Sequence, residues 1–208
     1  MTDHILVGGG ALAREIHDWF SPSLALAGHR FVGYIDDTDQ PMRGTGHELP
    51  QLGPITGYLA NAGPLLVLAI ADPRAKAVIT LNLLGRGAVF ATLLHPTAWI
   101  SASAKIGQGS VVSVFTDVSA NAVLGEFSLL NGYASVGHDG ELGDCSTVSG
   151  YVDLTGAVRV GRECFFGSGA RVLPKLSIGE RCVIGAGAVV VRSVPAGVTL
   201  YAAPARRL

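Results

Sequence analysis

The sequence is poor in charge and has no long hydrophobic run, and each shortage excludes a class of protein. Charged residues make up 15% of the 208-residue chain, and 15 basic residues are matched by 16 acidic ones. No basic field is therefore available to attract nucleic acid or an anionic membrane surface. The chain also lacks a run of about 18 apolar residues, which argues against a membrane span.

Cysteine and targeting signals are scarce as well. The three cysteines, Cys145, Cys164 and Cys182, do not have the spacing of a zinc site or a disulfide framework. The first residues, MTDHILVGGG, lack the basic start and long apolar stretch of a signal peptide. We therefore expect a cytoplasmic protein whose cysteines are small buried hydrophobic residues. The mean hydropathy of +0.42 suggests in addition that some surface is buried between subunits.

A repeat of six residues fills the carboxyl-terminal half of the chain. From Ile100 to Val190, every sixth residue is a large apolar one, and sixteen such positions occur in succession. At the chain's apolar content of 49%, chance gives such a run with a probability of about 10⁻⁵. Neither the 3.6-residue period of a helix nor the two-residue period of a strand fits this step. The large apolar positions are Ile100, Ile106, Val112, Val118, Leu124, Leu130, Val136, Leu142, Val148, Leu154, Val160, Phe166, Val172, Ile178, Ile184 and Val190.

Two further columns of the repeat predict the shape of the coil. Half of the large apolar positions are followed directly by glycine, and Leu130 is followed by Asn131, so we interpret this column as a corner with positive φ. Four residues after most of the large apolar positions stands a small residue that should stack inside, such as Ala104, Ser110 or Cys164. A short strand and a corner in every repeat predict a triangular coil made of three successive repeats. Because no residue is inserted over about five coils, chemistry must come from corner side chains and neighbouring subunits.

The hexapeptide pattern resembles that of the left-handed β-helix acyltransferases. The resemblance implies a C-terminal left-handed parallel β-helix over residues 96–208. It also implies a homotrimer that binds acetyl-CoA as a co-substrate in the groove between two prisms.

The front half, residues 1–95, has the pattern of a Rossmann-like α/β domain. Strand candidates alternate with helix candidates, and the first strand runs into Gly8-Gly9-Gly10. This turn lacks the full G-x-G-x-x-G spacing, so an NAD site is not predicted. The second strand ends at Asp36-Asp37, where a carboxylate is suited to accept hydrogen bonds from a ribose or a base. The strand candidates are residues 4–9, 31–37, 64–72 and 89–94, and the helix candidates are residues 11–20 and 75–84.

The whole chain is similar to the sugar-nucleotide N-acetyltransferases that modify 4-amino-4,6-dideoxy sugars, and to the related sialic acid O-acetyltransferases. Four stretches carry the match, namely ILVGGG (5–10), YIDD (34–37), HPTAWISASAKIG (95–107) and APAR (203–206). Two positions depart from the family. Its Gly-His in the first turn is replaced by Ala11-Leu12, and its Gly-Asp or Gly-Asn after the third strand by Ala71-Asp72. The acceptor sugar and its nucleotide are therefore left open.

The resemblance assigns roles to residues in both halves. His138 and Asp139 match the proposed base and its acidic partner. Substrate contacts are implied at Gly8, Gly9, Gly10, Asp36, Asp37, Ala71 and Asn131. Contacts with acetyl-CoA are implied at Thr147, Gly156, Ser168 and Ala186. The tail arginines, Arg206 and Arg207, either meet CoA phosphates or are solvated, and no metal is expected.

The residue chemistry agrees with acyl transfer, which needs a base, donors for the oxyanion and aligned reactants. His138 is the only histidine inside the repeat, and its place two residues after Val136 puts it at a corner, pointing outward. Imidazole titrates near working pH, and a neighbouring carboxylate stabilises its protonated form. Gly156 follows three repeats later and is therefore expected one coil above His138. Cys145 falls on a different corner, so direct transfer without an acyl-enzyme is expected.

Several alternatives stay open. O-acetylation of a sugar such as sialic acid uses the same machinery, although the pair Asp36-Asp37 favours a nucleotide-bearing acceptor. A β-helix metalloenzyme needs a histidine cluster between prisms, which a single repeat histidine does not supply. A non-catalytic binding protein is compatible with the altered turn at Ala11-Leu12. In the front half, His17 lies on a helix with Trp19 and is expected to be partly buried rather than reactive.

Overall fold

The computed structural model describes residues 2–60 and 63–203. The elements of the front half are β1 (Thr2–Val7), α1 (Ala11–Leu26), β2 (His29–Ile35), β3 (Gln51–Gly53), β4 (Leu65–Leu68) and α2 (Pro73–Leu84). The four strands form one sheet in the order β3-β2-β1-β4, in which every pairing is parallel. Helix α1 connects β1 to β2, and helix α2 follows β4. No helix in these two described ranges could span a membrane.

Alternate residues of β1 enter two different apolar clusters, as the two-residue period of a strand requires. Leu6 packs in one cluster with Ile16 and Phe20 of α1. Ile5 packs in the other cluster with Leu83 of α2. The two helices therefore cover opposite faces of the sheet. Because the strands are parallel, their carboxyl ends lie at one edge, together with the glycine turn that follows β1.

Some element bounds differ from the sequence expectation. Helix α1 runs on through Pro22 to Leu26 because Leu24 is buried on the same side as Phe20, and this packing outweighs the lost backbone donor of the proline. The expected strand 89–94 is not continuous. Phe90 makes an isolated bridge with Leu66 of the sheet, whereas Leu93 and Leu94 already pair with the β-helix. The chain passes from one unit to the other between these residues.

The rest of the chain is a parallel β-helix of three faces, each built from two-residue strands. Each strand pairs with the strand three repeats further along the chain, for example Leu129 with Thr147, so the predicted coil length is confirmed. Face I contains β6 (Trp99–Ile100), β9 (Asp117–Val118), β12 (Ser135–Val136), β15 (Asp153–Leu154), β18 (Arg171–Val172) and β21 (Val189–Val190). Face II contains β7 (Lys105–Ile106), β10 (Val123–Leu124), β13 (Glu141–Leu142), β16 (Arg159–Val160) and β19 (Ser177–Ile178). Face III contains β5 (Leu93–Leu94), β8 (Val111–Val112), β11 (Leu129–Leu130), β14 (Thr147–Val148), β17 (Phe165–Phe166), β20 (Val183–Ile184) and β22 (Thr199–Leu200).

The large apolar column and the small column both point inward, as expected. Val112, Leu130 and Phe166 are fully buried, and so are the small residues Cys164 and Cys182 between the coils. All three cysteines are buried free thiols. The repeat therefore forms one continuous apolar core along the helix axis.

The expected positive φ at the glycine column is wrong. The left-handed residues stand two positions later, where Tyr133, Asp139 and Tyr151 have φ values of 62°, 56° and 61°. The glycines are required for space instead: a Cβ atom at Gly137 would lie 2.7 Å from the nitrogen of Gly156 on the next coil. Because the corners of successive coils touch at this point, only a residue without a side chain fits.

Face III of the β-helix is covered by the front half. Leu93, Val111 and Leu129 point outward from this face and belong to the same apolar cluster as Phe20. At the corner between faces II and III, Phe127 meets Phe90 edge to face at a centroid distance of 5.1 Å. Faces I and II of the prism are left outside this contact.

Candidate functional site

The corner between faces I and II carries the histidine of the repeat. His138 and Asp139 are exposed there, with 69% and 55% of their side chains accessible. His138 Nδ1 and Asp139 Oδ2 are 2.8 Å apart. Adjacent residues do not normally face one another, but the left-handed backbone of Asp139 turns its carboxylate back toward the imidazole. With Nδ1–H donating to the carboxylate, Nε2 keeps its lone pair.

A third side chain, Asn121, extends this pair and was not predicted. Its amide nitrogen donates to Asp139 Oδ1 at 3.1 Å from one coil below. The hydrogen bonds from His138 and Asn121 hold the pKa of the Asp139 carboxyl below its ordinary value, so the carboxylate is ionised. The signal that finds Asn121 is the coil length, since it precedes Asp139 by three repeats.

Gly156 lies directly over the imidazole, as the coil length predicted. A Cβ atom at this position would collide with Nε2 of His138. The absence of a side chain therefore leaves Nε2 accessible between two coils.

The corner between faces III and I holds three other candidates. Asn131 accepts a hydrogen bond from its own neighbour, Gly132, at 2.7 Å, and Ser168 and Ala186 are exposed on upper coils. This corner lies across face I from His138, so within one chain these residues do not meet the imidazole. The corner also carries an exposed aromatic ladder, which sequence reasoning missed.

The ladder consists of Phe115, Tyr133 and Tyr151. The rings of Phe115 and Tyr133 stack at a centroid distance of 5.1 Å, and those of Tyr133 and Tyr151 at 4.8 Å. More than half of the Phe115 and Tyr151 surface is exposed, at 54% and 65%. The spacing of three repeats per coil, applied to aromatic residues, is the signal that finds this ladder.

Thr147, an expected contact of acetyl-CoA, lies apart from both corners. It is buried on face III, and its hydroxyl donates to the carbonyl oxygen of Ala71 at 2.7 Å. Ala71, an expected substrate contact, is thereby placed at the junction of the two halves. The junction also holds Lys76 of α2, which is fully buried and donates through Nζ to the Ser146 carbonyl oxygen at 2.8 Å. Burial lowers the pKa of Lys76 from 10.5 to about 7.

The remaining front-half candidates lie at the carboxyl ends of β1 and β2. Gly8 has a left-handed φ of 100°, and Gly10 is the N-cap residue of α1, which has no side-chain cap. The Gly9 nitrogen donates to Asp36 Oδ2 at 2.7 Å, so the glycine turn and the acidic pair do meet.

Both carboxylates of this pair also accept hydrogen bonds from backbone N–H groups. Asp36 Oδ1 accepts from the Thr38 nitrogen at 2.7 Å. Asp37 Oδ1 accepts from the nitrogen and the hydroxyl of Thr56, each at 3.0 Å. The tail arginines and all but the first residue of the APAR stretch lie outside the described residues.

Comparison with known proteins places this geometry in a family. Residues 157–192 match the family model described as bacterial transferase hexapeptide (six repeats). No curated protein sequence matches significantly.

Several solved structures are similar over the whole chain. The acetyltransferase domain of PglB from Neisseria gonorrhoeae is 30% identical, with 100% of both chains covered and a TM-score of 0.88. PerB from Caulobacter crescentus, described in complex with CoA and GDP-perosamine, is 28% identical, with 99% of this chain and 97% of that chain covered and a TM-score of 0.86. WeeI from Acinetobacter baumannii is 26% identical, with 100% of both chains covered and a TM-score of 0.84. The chain is an acyltransferase and belongs to the hexapeptide-repeat family of left-handed β-helix acetyltransferases.

Proposed function

We propose that the protein is an acetyl-CoA-dependent N-acetyltransferase acting on a nucleotide-linked 4-amino-4,6-dideoxy sugar, with His138 as the general base. The observation that carries this proposal is the contact of His138 Nδ1 with Asp139, which leaves Nε2 free beneath Gly156. The relatives support the substrate class, because PerB is described with CoA and GDP-perosamine.

In the proposed reaction, Nε2 of His138 accepts a proton as the sugar amine attacks the thioester carbon. Asp139 stabilises the resulting imidazolium, and Asn121 fixes the orientation of the Asp139 carboxylate. The Gly156 backbone N–H is the proposed donor to the tetrahedral oxyanion. Collapse of this intermediate forms the amide and breaks the C–S bond, and the imidazolium proton passes to the departing thiolate. Direct transfer suffices because Cys145 is buried at another corner.

The binding groove is proposed to lie between two copies in a homotrimer. His138 and the small corner residues Ser168 and Ala186 lie on opposite edges of face I. A neighbouring copy whose III–I corner meets this I–II corner would bring the two sets together, with Asn131 toward the acceptor. The exposed ladder of Phe115, Tyr133 and Tyr151 supports burial of that corner between copies. The position of Thr147 under the front half favours a structural role for its side chain.

The front half, taken as residues 1–95, is proposed to be a Rossmann-like domain that binds the nucleotide part of the acceptor. Helix α1 has Gly10 at its N-cap, with no side-chain cap, and has no acidic residue in its first turn. Its N-terminus is therefore suited to a diphosphate. Gly8 and Gly9 form the approach to this helix, and Asp36 positions the turn. Residues 96–208 would supply acetyl transfer.

The test is CoA release from acetyl-CoA with a panel of UDP-, dTDP- and GDP-linked 4-amino-4,6-dideoxy sugars. Each amino sugar is paired with its 4-hydroxy counterpart, which separates N-acetylation from O-acetylation. We expect turnover on one amino sugar and none on its hydroxy partner. A His138→Asn variant should lose most of its turnover, whereas a His29→Gln variant, altered at a histidine outside both corners, should keep its activity.

The opposite results have specific meanings. Turnover of the hydroxy sugars alone would replace the proposal with O-acetylation. Thermal stabilisation by acetyl-CoA without turnover of any sugar, including sialic acid, would favour a binding protein that has lost the chemistry.

A further inference from the structure

The front half contains three convergent polar side chains that take no part in the proposed acetyl transfer. His17 and Asp18 come from α1, and His47 comes from the segment between β2 and β3. One ligand atom from each lies within 4.8 Å of the others. Across residues 2–60 and 63–203, this is the one group of three or more His, Cys, Asp or Glu side chains with such a spacing.

The spacing of the donor atoms fits two edges of a small coordination tetrahedron. Asp18 Oδ1 lies 3.1 Å from His47 Nε2 and 3.5 Å from His17 Nδ1. Zinc binds imidazole nitrogen and carboxylate oxygen at about 2.0–2.2 Å, which places neighbouring ligands of a tetrahedron roughly 3.4 Å apart. An ion would therefore enter with small side-chain adjustments.

The hydrogen-bonding pattern also favours a cation at this point. His47 Nδ1 lies 3.3 Å from the Thr45 carbonyl oxygen, which fixes the proton on Nδ1 when that nitrogen donates. The lone pair of Nε2 then faces both carboxylate oxygens of Asp18, each at 3.1 Å. Two acceptors in this arrangement need a proton or a metal ion between them.

His17 adds a third electron pair to the same space. Its Nδ1 is a buried atom without a hydrogen-bond partner among the described residues. Unsatisfied buried donors or acceptors are uncommon in folded proteins and call for an explanation.

We propose that His17, Asp18 and His47 form a binding site for a divalent transition-metal ion, with zinc the best match. The two imidazoles are borderline ligands, which disfavour calcium and magnesium, and a carboxylate oxygen beside them is an ordinary zinc ligand. Water completes the fourth position. The site lies in the front half, away from His138, so its role is structural rather than catalytic.

The ion would fasten the segment after β2 to α1. His47 lines a cavity of about 470 Å³ together with Tyr34 and Gln51. Pro41 and Tyr34 pack so closely over Gly9 that a Cβ atom there would lie 2.6 Å and 2.7 Å from their rings. A metal bridge from His47 to α1 therefore steadies the residues that cover the glycine turn.

The test uses full-length protein without an affinity tag, freed of metal with EDTA. Zinc is titrated by calorimetry, and cobalt is titrated by visible absorbance, because its spectrum distinguishes tetrahedral from octahedral coordination. We expect one equivalent per chain, a tetrahedral cobalt spectrum and a rise in Tm on zinc addition. Asp18→Asn and His47→Gln should each weaken zinc binding at least tenfold. His29→Gln and His138→Gln, matched changes outside the cluster, should bind as the parent does.

Two results would overturn the proposal. If the parent and both cluster variants bind zinc with equal affinity, the ion binds elsewhere. If the parent binds no zinc up to about 100 µM, the contact between His47 and Asp18 is a simple ion pair. If the cluster variants fail to fold, the parent's stoichiometry and cobalt spectrum decide alone. An octahedral spectrum or several weak equivalents would then reject the site. None of these readouts depends on acetyl transfer, so the outcome is separate from that of the proposed function.

Discussion

Lys76 gives the junction of the two halves a pH-dependent stability. The folded protein holds this amine in a buried position, and burial lowers its pKa from 10.5 to about 7. The unfolded chain keeps the proton up to the higher value. Between these values the unfolded state binds more protons, so the free energy of unfolding rises with pH. The limiting slope for one group is about 1.4 kcal/mol per pH unit.

The expected magnitude follows from this slope. Between pH 6 and pH 8.5 the parent should gain about 2 kcal/mol from Lys76 alone, because the native amine is half deprotonated near pH 7. The upper limit restricts the contribution of the Cys145 and Cys164 thiols, whose pKa values are raised by burial and whose effect has the opposite sign.

The assay compares urea unfolding of the parent and of Lys76→Met at fixed protein concentration across this pH window. The difference between the two free energies should rise with pH by the amount given. Lys105→Met, at an exposed lysine of face II, controls for the loss of one positive charge. A parent and a Lys76→Met variant with parallel pH profiles would refute the assignment of a depressed pKa to the buried amine.

Individual contacts lead to three further predictions. Gly156→Ala should lower kcat on the order of 10²-fold, because the new methyl group displaces Nε2 of His138. Gly85→Ala is the control and should leave turnover unchanged, because a Cβ atom at Gly85 has a nearest contact of 3.4 Å. An unchanged kcat in Gly156→Ala would show that Nε2 of His138 takes no part in the reaction. Asn121→Ala should lower kcat severalfold without changing the KM for acetyl-CoA, since Asn121 acts through Asp139; steady-state kinetics with both substrates separate the two effects. Thr147→Val should cost about 1 kcal/mol of stability by removing the hydrogen bond to Ala71, as measured by urea unfolding, and a matching loss of acetyl-CoA affinity would show that Thr147 serves the ligand instead.

The β-helix could be predicted because its core repeats. A large apolar residue at every sixth position indicates that each short strand points one side chain inward. The register of the strands and the coil length then follow from the sequence. The placement of Gly156 over His138 follows from the same length. The position of the left-handed residues could not be predicted from the glycine column. Glycine is required there because successive coils touch, and not because the backbone has a positive φ.

The contacts between the two halves could not be predicted from the sequence pattern. Thr147 occupies an ordinary place in the repeat, and only the docking of the front half buries it beneath Ala71. Lys76 is a polar residue on a helix with no strong apolar side, and its burial depends on the corner against which α2 packs. The contact of His138 with Asp139 likewise depends on a backbone conformation that the sequence alone does not specify.

In the proposed reaction, His138 accepts the proton of the attacking amine. Single-turnover acetyl transfer by His138→Asn, with acetyl-CoA already bound and the accepted amino sugar added, tests it most directly. We expect a rate about 10²–10⁴-fold below that of the parent, with the Kd for acetyl-CoA unchanged. A variant rate within about threefold of the parent, at the same occupancy of acetyl-CoA, would contradict it, because that loss is far below the contribution of a general base.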